Sequence, residues 1–360
     1  MDLQFADRMF QETFRSAGTD NLLISPYSAY ALAALLLEGA DGQSRTELEA
    51  ALNEADCAAA LSELRAKLRA GGETEFHDAN ALIIGAGREG CVRDSYRTRI
   101  AEGFEAEVFS SGDVIRAVND WTNEKTLGMI PRLLDHGPAP DLCLLNAIAF
   151  VGKWQRMYRP DDVDEEADFT DVEGGHQVVP MLHSTERAWL HGAGLIGFAK
   201  PYRGEAYDFV AVLPEDEETP LAAVLPSVSV LKELYQSAEN VKTEVTQPEF
   251  SFDCSLELNA VFQALGIRSV FSPIEADLSR MTPVPGSYVE RVLHKTHIEN
   301  DREGTKAAAV TAAMVRLGCV PHFEETKFVT LDRPFAFAIF HRETATPVFV
   351  GVVNRINQAR

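Results

Sequence analysis

The chain has 360 residues, 55 Asp and Glu against 33 Lys and Arg, a formal net charge of −22 at pH 7 and 46% apolar residues. Such an acidic surface repels phosphate backbones and anionic membranes, so neither nucleic acid nor membrane is an expected partner, and no apolar run approaches the roughly 20 residues of a membrane-spanning helix. The length suggests two domains or more, yet no Gly/Ser- or Pro-rich linker, repeat or low-complexity tract divides it; one unit over 1–360 is expected.

Leu3, Ala6, Phe10 and Phe14 recur at helical spacing with no signal-peptide core before them. The chain is therefore expected to be either leaderless and cytoplasmic or extracellular with its leader removed. Ser25 suits a helix N-cap and Pro26 the first helical position, which predicts a helix to about Glu38 that stops at Gly39. Ser44-x-x-Glu47 reads as a capping box opening a second helix. Residues 142–151 are apolar on both parities, as in a strand covered on both faces, and should lie in the middle of a main sheet. Residues 209–213, 335–340 and 348–353 read as buried strands of another sheet. Helices crowd the first third and strands the last, which predicts a mixed α+β fold.

Five cysteines, Cys57, Cys91, Cys143, Cys254 and Cys319, are scattered and odd in number without a CxxC pair, which argues against a disulfide framework and a zinc site. Cys143 reads as a small buried hydrophobe. His294-x-x-His297 lacks the HExxH pattern and reads as structural. The acidic stretch 161–168 lacks the glycine and terminal glutamate of a calcium loop, and it and 215–218 read as solvated connections. No GxSxG elbow or phosphate loop is present, so no catalytic residue, cofactor or metal is expected.

The stretch Glu303-Gly304-Thr305-Lys306-Ala307-Ala308-Ala309-Val310-Thr311-Ala312-Ala313 has helical propensity, but its neighbourhood says otherwise. His294-Lys295-Thr296-His297-Ile298-Glu299 precedes it; Leu331-Asp332-Arg333-Pro334-Phe335 and Pro347-Val348-Phe349-Val350-Gly351 follow. Earlier come Asn21-Leu22-Leu23-Ile24-Ser25-Pro26-Tyr27-Ser28, Asn119-x-Trp121-Thr122 with Thr126-x-Gly128-x-Ile130, and Leu144-Leu145-Asn146-Ala147-Ile148-Ala149-Phe150-x-Gly152-Lys153-Trp154. Val179-Pro180-Met181, Pro201-Tyr202, Leu213-Pro214, Leu265-Gly266-Ile267 and Ala276-Asp277-Leu278-Ser279 complete the order. Over nearly its whole length the chain resembles the serpins, compact prokaryotic members included. The resemblance implies three β-sheets, about eight or nine helices and an exposed reactive-centre loop at about 302–325.

It further implies an inhibitor, not an enzyme: a serine or cysteine endopeptidase cuts the loop, is caught as an acyl-enzyme, and is disabled when the loop enters the main sheet as a strand. The hinge would be Glu303, Gly304, Thr305, Lys306, Ala307, Ala308, Ala309, Val310 and Thr311. In an inserted strand Thr305, Ala307, Ala309 and Thr311 share one face and are all small, whereas Lys306 falls on the other. Arg302 and Lys306 depart from the glutamates usual there. Ser25, Ser28, Asn146 and His294 match the polar cluster under the parting strands. The hinge register points to Gly318-Cys319 as the scissile bond; Leu317 and Arg316 offer better side chains to a protease pocket. Elastase-, subtilisin- or chymotrypsin-like targets are expected before trypsin-like ones, and the inhibitor itself is expected to be a monomer. The alternative is a non-inhibitory serpin serving as carrier or folding helper, against which Ala307-Ala308-Ala309 speaks.

Overall fold

The computed structural model describes residues 2–70, 72–135, 137–224, 227–305 and 325–356. Its helices are α1 (Leu3–Ala17), α2 (Pro26–Gly39), α3 (Gly42–Leu52), α4 (Cys57–Arg69), α5 (Asp94–Phe104), α6 (Val114–Lys125), α7 (Leu221–Val224), α8 (Val228–Gln236) and α9 (Asn259–Ala264). The strands are β1 (Leu22–Ile24), β2 (Glu75–Gly85), β3 (Glu107–Ser111), β4 (Leu142–Lys153), β5 (Val163–Thr170), β6 (His176–Gly192), β7 (Leu195–Pro201), β8 (Tyr207–Pro214), β9 (Glu239–Pro248), β10 (Phe250–Glu257), β11 (Leu293–Asn300), β12 (Gly304–Thr305), β13 (Thr326–Thr330), β14 (Phe335–His341) and β15 (Thr346–Val353).

One sheet has the order β10-β11-β12-β4-β2-β3; the other runs β1-β15-β14-β8-β7-β6-β9-β13, with β5 also on β6. The three expected sheets form two connected ones among the described residues because β6 is shared. Its first part pairs with β5 and its last residues, Ala188 to Gly192, with β7. The 142–151 run is β4, inside the six-stranded sheet, and the other three apolar runs fall in β8, β14 and β15, which are neighbours.

Both faces of β4 are covered. Leu145 and Ala147 pack with Ala81 and Ile83 of β2 against Val118 and Trp121 of α6. Ile148 and Phe150, on the opposite parity, join the larger core that also holds α2. Every residue of α2 except Leu32 is buried, because the helix touches β4 on one side and β15 on another.

Helix α2 starts as expected, with Ser25 Oγ accepting from the Ser28 N–H at 3.1 Å and Pro26 in the first turn. Gly39, expected as the stop, is the last helical residue. A Cβ there would lie 2.7 Å from the Met281 Cβ, so the glycine serves close packing. The Ser44/Glu47 capping box does not form. Asp41 caps α3 by accepting from the Gly42 N–H at 3.0 Å, which leaves Ser44 inside the helix. There it bonds Ser269 Oγ at 2.9 Å and the Asp277 N–H at 3.0 Å, while Glu47 accepts the Arg268 and Ser269 N–H groups at 2.8 Å each.

Candidate functional site

Among the described residues β4 and β11 share no ladder pair of their own; the two residues of β12 join them at one end. Gly304 pairs with Lys153 and Thr305 with Gly152 on the β4 side, and Thr305 pairs with Asn300 on the β11 side. Only glycine fits this seat, since a Cβ on Gly304 would lie 2.1 Å from the Gly152 carbonyl oxygen. Beside Thr305, residues Met129, Ile130, Ile148, Phe150 and Ile298 border a narrow gap of about 10 Å³, the room of about one water molecule. Gly304 and Thr305, the described end of the expected hinge, thus sit as a two-residue plug between β4 and β11.

The plug is held from three directions. Thr305 Oγ1 lies 2.7 Å from the Tyr202 hydroxyl, both buried. Trp154 donates its backbone N–H to the Glu303 carbonyl and its indole N–H to the Asp301 carbonyl, each at 2.9 Å, and its ring stacks on Tyr202 at 4.7 Å. Asp301 Oδ1 accepts the Glu303 and Gly304 N–H groups at 2.8 and 3.0 Å, although burial pushes its carboxyl pKa up. Arg302 is clamped by Glu249 (Nε to Oε1, 2.9 Å) on one side and Glu165 (2.9 and 3.0 Å) on the other.

Of the four cluster residues, three meet. His294 Nε2 accepts the Ser25 backbone N–H at 3.0 Å, and Ser25 Oγ holds Ser28. Burial lowers the His294 pKa to about 4, so the ring is neutral at pH 7 and free to accept. Asn146 is not bonded to them: its amide donates to Asp78 Oδ1 at 2.8 Å and Asn80 Oδ1 at 2.9 Å on β2, and its own Oδ1 is buried without a partner among the described residues. The reason is a carboxylate on the neighbouring strand, a stronger acceptor than imidazole. His294 and His297 point to opposite faces of β11, since the strand alternates buried and half-buried residues; His297 meets Asp253 at 2.8 Å.

Residues 306–311 of the hinge and all four scissile-bond candidates, Arg316, Leu317, Gly318 and Cys319, lie outside the described residues. Cys143 is half-buried, and burial pushes its thiol pKa up to about 12. Sequence reasoning missed the partners of Arg302 and the Trp154–Tyr202 stack. Gly152-Lys153-Trp154 and Pro201-Tyr202 were the available signals, without a hint that they converge.

The family described as serpin (serine protease inhibitor) matches residues 2–356. Glia-derived nexin of Rattus norvegicus is 27% identical over 369 residues, 97% of this chain and 91% of the relative. Leukocyte elastase inhibitor A of Mus musculus is 26% identical, covering 97% of each chain. The native-state crystal structure of the thermophilic serpin tengpin superposes with a TM-score of 0.84 at 28% identity, covering 99% of this chain and 95% of that one. With the parted sheet, the seated hinge and a match over nearly its whole length, the chain belongs to the serpin family.

Proposed function

We propose that the chain is an irreversible suicide-substrate inhibitor of a serine endopeptidase, a cysteine endopeptidase being the second candidate target. The protease cleaves within 316–319, an ester or thioester joins its nucleophile to the new carboxy-terminal acyl group, and the freed loop follows Gly304 and Thr305 into the seam. The reading rests on one observation: those two residues already pair with β4 and β11 where β4 and β11 do not pair with each other. Continuing the strand adds ladder bonds and packing that the uncut molecule forgoes, so the uncut form is held by kinetics.

The target chemistry follows from the loop side chains. Fourteen residues from Thr305 to Gly318 span roughly 46 Å as a strand, and cutting after Arg316 shortens the arm by roughly 7 Å. Elastase-, subtilisin- or chymotrypsin-like enzymes are therefore the proposed targets, with trypsin-like enzymes mainly turning the protein over. The mouse relative's name, an elastase inhibitor, agrees with that order.

Incubation with a panel of serine and cysteine proteases should give a complex that resists sodium dodecyl sulfate. Mass spectrometry of the released carboxy-terminal peptide then locates the cut: a peptide beginning at Gly318 or Cys319 is expected, and one beginning at Leu317 from a stable trypsin complex makes Arg316 the bait. Cleavage without any complex, together with a nicked form that melts no higher than the intact one, would favour the carrier or folding-helper alternative.

A further inference from the structure

Asp78 lies on the core face of β2, a costly place for a carboxylate. Arg65 of α4 meets it, Nε lying 2.6 Å from Oδ2, with both side chains at most 2% exposed. The Tyr27 hydroxyl of α2 donates to the same oxygen at 2.8 Å, and the Asn146 amide of β4 donates to Oδ1 at 2.8 Å. Behind this group, Arg65 and Asn80 both donate to the Phe104 carbonyl at the end of α5, at 3.1 and 2.8 Å. One carboxylate therefore ties β4 to its neighbour β2 and to two helices directly, and to α5 through Arg65. Among the described residues, the opposite edge of β4 is joined to β11 through the plug residues alone.

We infer that Asp78 is a positioning residue for Asn146: it pins β4 to β2 and the helical layer, so that the seam beside β11 is the one that opens when the loop enters. The inference rests on the insertion reading above. A buried ion pair adds little net stability over an apolar pair of similar volume, but hydrogen bonds to its carboxylate are directional, and the one from Asn146 runs across the β2–β4 edge. Opening then carries β2, β4 and α4 together.

The test is residue-resolved amide exchange on the intact protein, which needs neither a protease nor a cut. In the double variant Arg65→Met/Asp78→Leu, both charges leave together. Its melting temperature should stay within about 5 °C of the parent, while amides of 144–148 that bond β2 exchange at least about tenfold faster. Arg65→Lys, which keeps the charge pair, should leave that exchange near the parental rate. Unchanged exchange in the double variant overturns the inference, and so does a uniform rise over all strands with a fallen melting point, the mark of a merely structural pair. Should the double variant not fold, Tyr27→Phe removes one donor to the same oxygen. Exchange about threefold faster in 144–148 supports the inference, and none overturns it. If nicking fails to stabilise the parent protein, the insertion reading falls on that result alone, and the exchange data still decide whether Asp78 holds β4.

Discussion

The Tyr202 hydroxyl and Thr305 Oγ1 lie 2.7 Å apart in the protein interior, so Thr305 is bonded to the residue that follows β7 of the other sheet. Gly304 and Thr305 are therefore already buried within the molecule. On the proposed mechanism, insertion would extend this existing seat.

Thr305→Arg places a charge where the side chain is 4% exposed. An unpaired buried charge costs several kcal/mol, enough to slow insertion below deacylation. The stoichiometry of inhibition should rise steeply, with the protein cleaved as a plain substrate; an unchanged stoichiometry would show that trapping does not depend on a strand continuing from Thr305 into the seam. Ala307→Arg should behave alike and Lys306→Arg should be nearly silent, because alternation puts them on opposite faces.

Gly304→Ala should unseat the plug, because its Cβ would meet the Gly152 carbonyl oxygen at 2.1 Å and the Lys153 Cα at 2.7 Å. Backbone atoms cannot rotate aside, so a loss of about 1–3 kcal/mol is expected. Faster limited proteolysis near residue 304 and a lower melting temperature are the readouts. A variant that melts with the parent and resists nicking equally would mean that the seat adjusts.

Arg302→Glu replaces two ion pairs by three neighbouring carboxylates. Arg302 is 39% exposed and Glu165 60%, so each pair contributes at most about 1 kcal/mol and is weakened by salt. A melting point a few degrees lower at low ionic strength is expected, with the gap closing in molar salt. Arg302→Glu/Glu249→Arg should recover part of the loss. No recovery in this pair would assign the effect to lost packing of the guanidinium.

Acid should loosen β11 through His294. Its folded pKa of about 4 lies below the unfolded value near 6.5, so the unfolded chain binds more protons in between. The stability this ring contributes is complete above about pH 6.5 and is lost as pH falls towards 4, by roughly 3 kcal/mol in total. Once protonated, Nε2 donates and can no longer accept the Ser25 N–H. His294→Gln should flatten the pH dependence of melting between 6.5 and 4; an equally steep profile would place the acid sensitivity elsewhere.

The sequence by itself determined the α+β class, the Ser25 cap with Pro26 and the strand at β4, because each depends on local periodicity or backbone chemistry. Family order added the serpin fold. Only tertiary structure decided the rest. Asp41 took the cap expected of Ser44, since a helix begins at the first residue that can satisfy its free N–H groups and the surplus hydroxyl then bonds whatever packs against it. Asn146 turned to Asp78 and away from His294, because pairing β4 with β2 sets a carboxylate within reach. Arg302 found Glu165 and Glu249, residues 137 and 53 positions away in the chain. Such partnerships depend on which strands lie side by side, and no spacing along one strand carries that information.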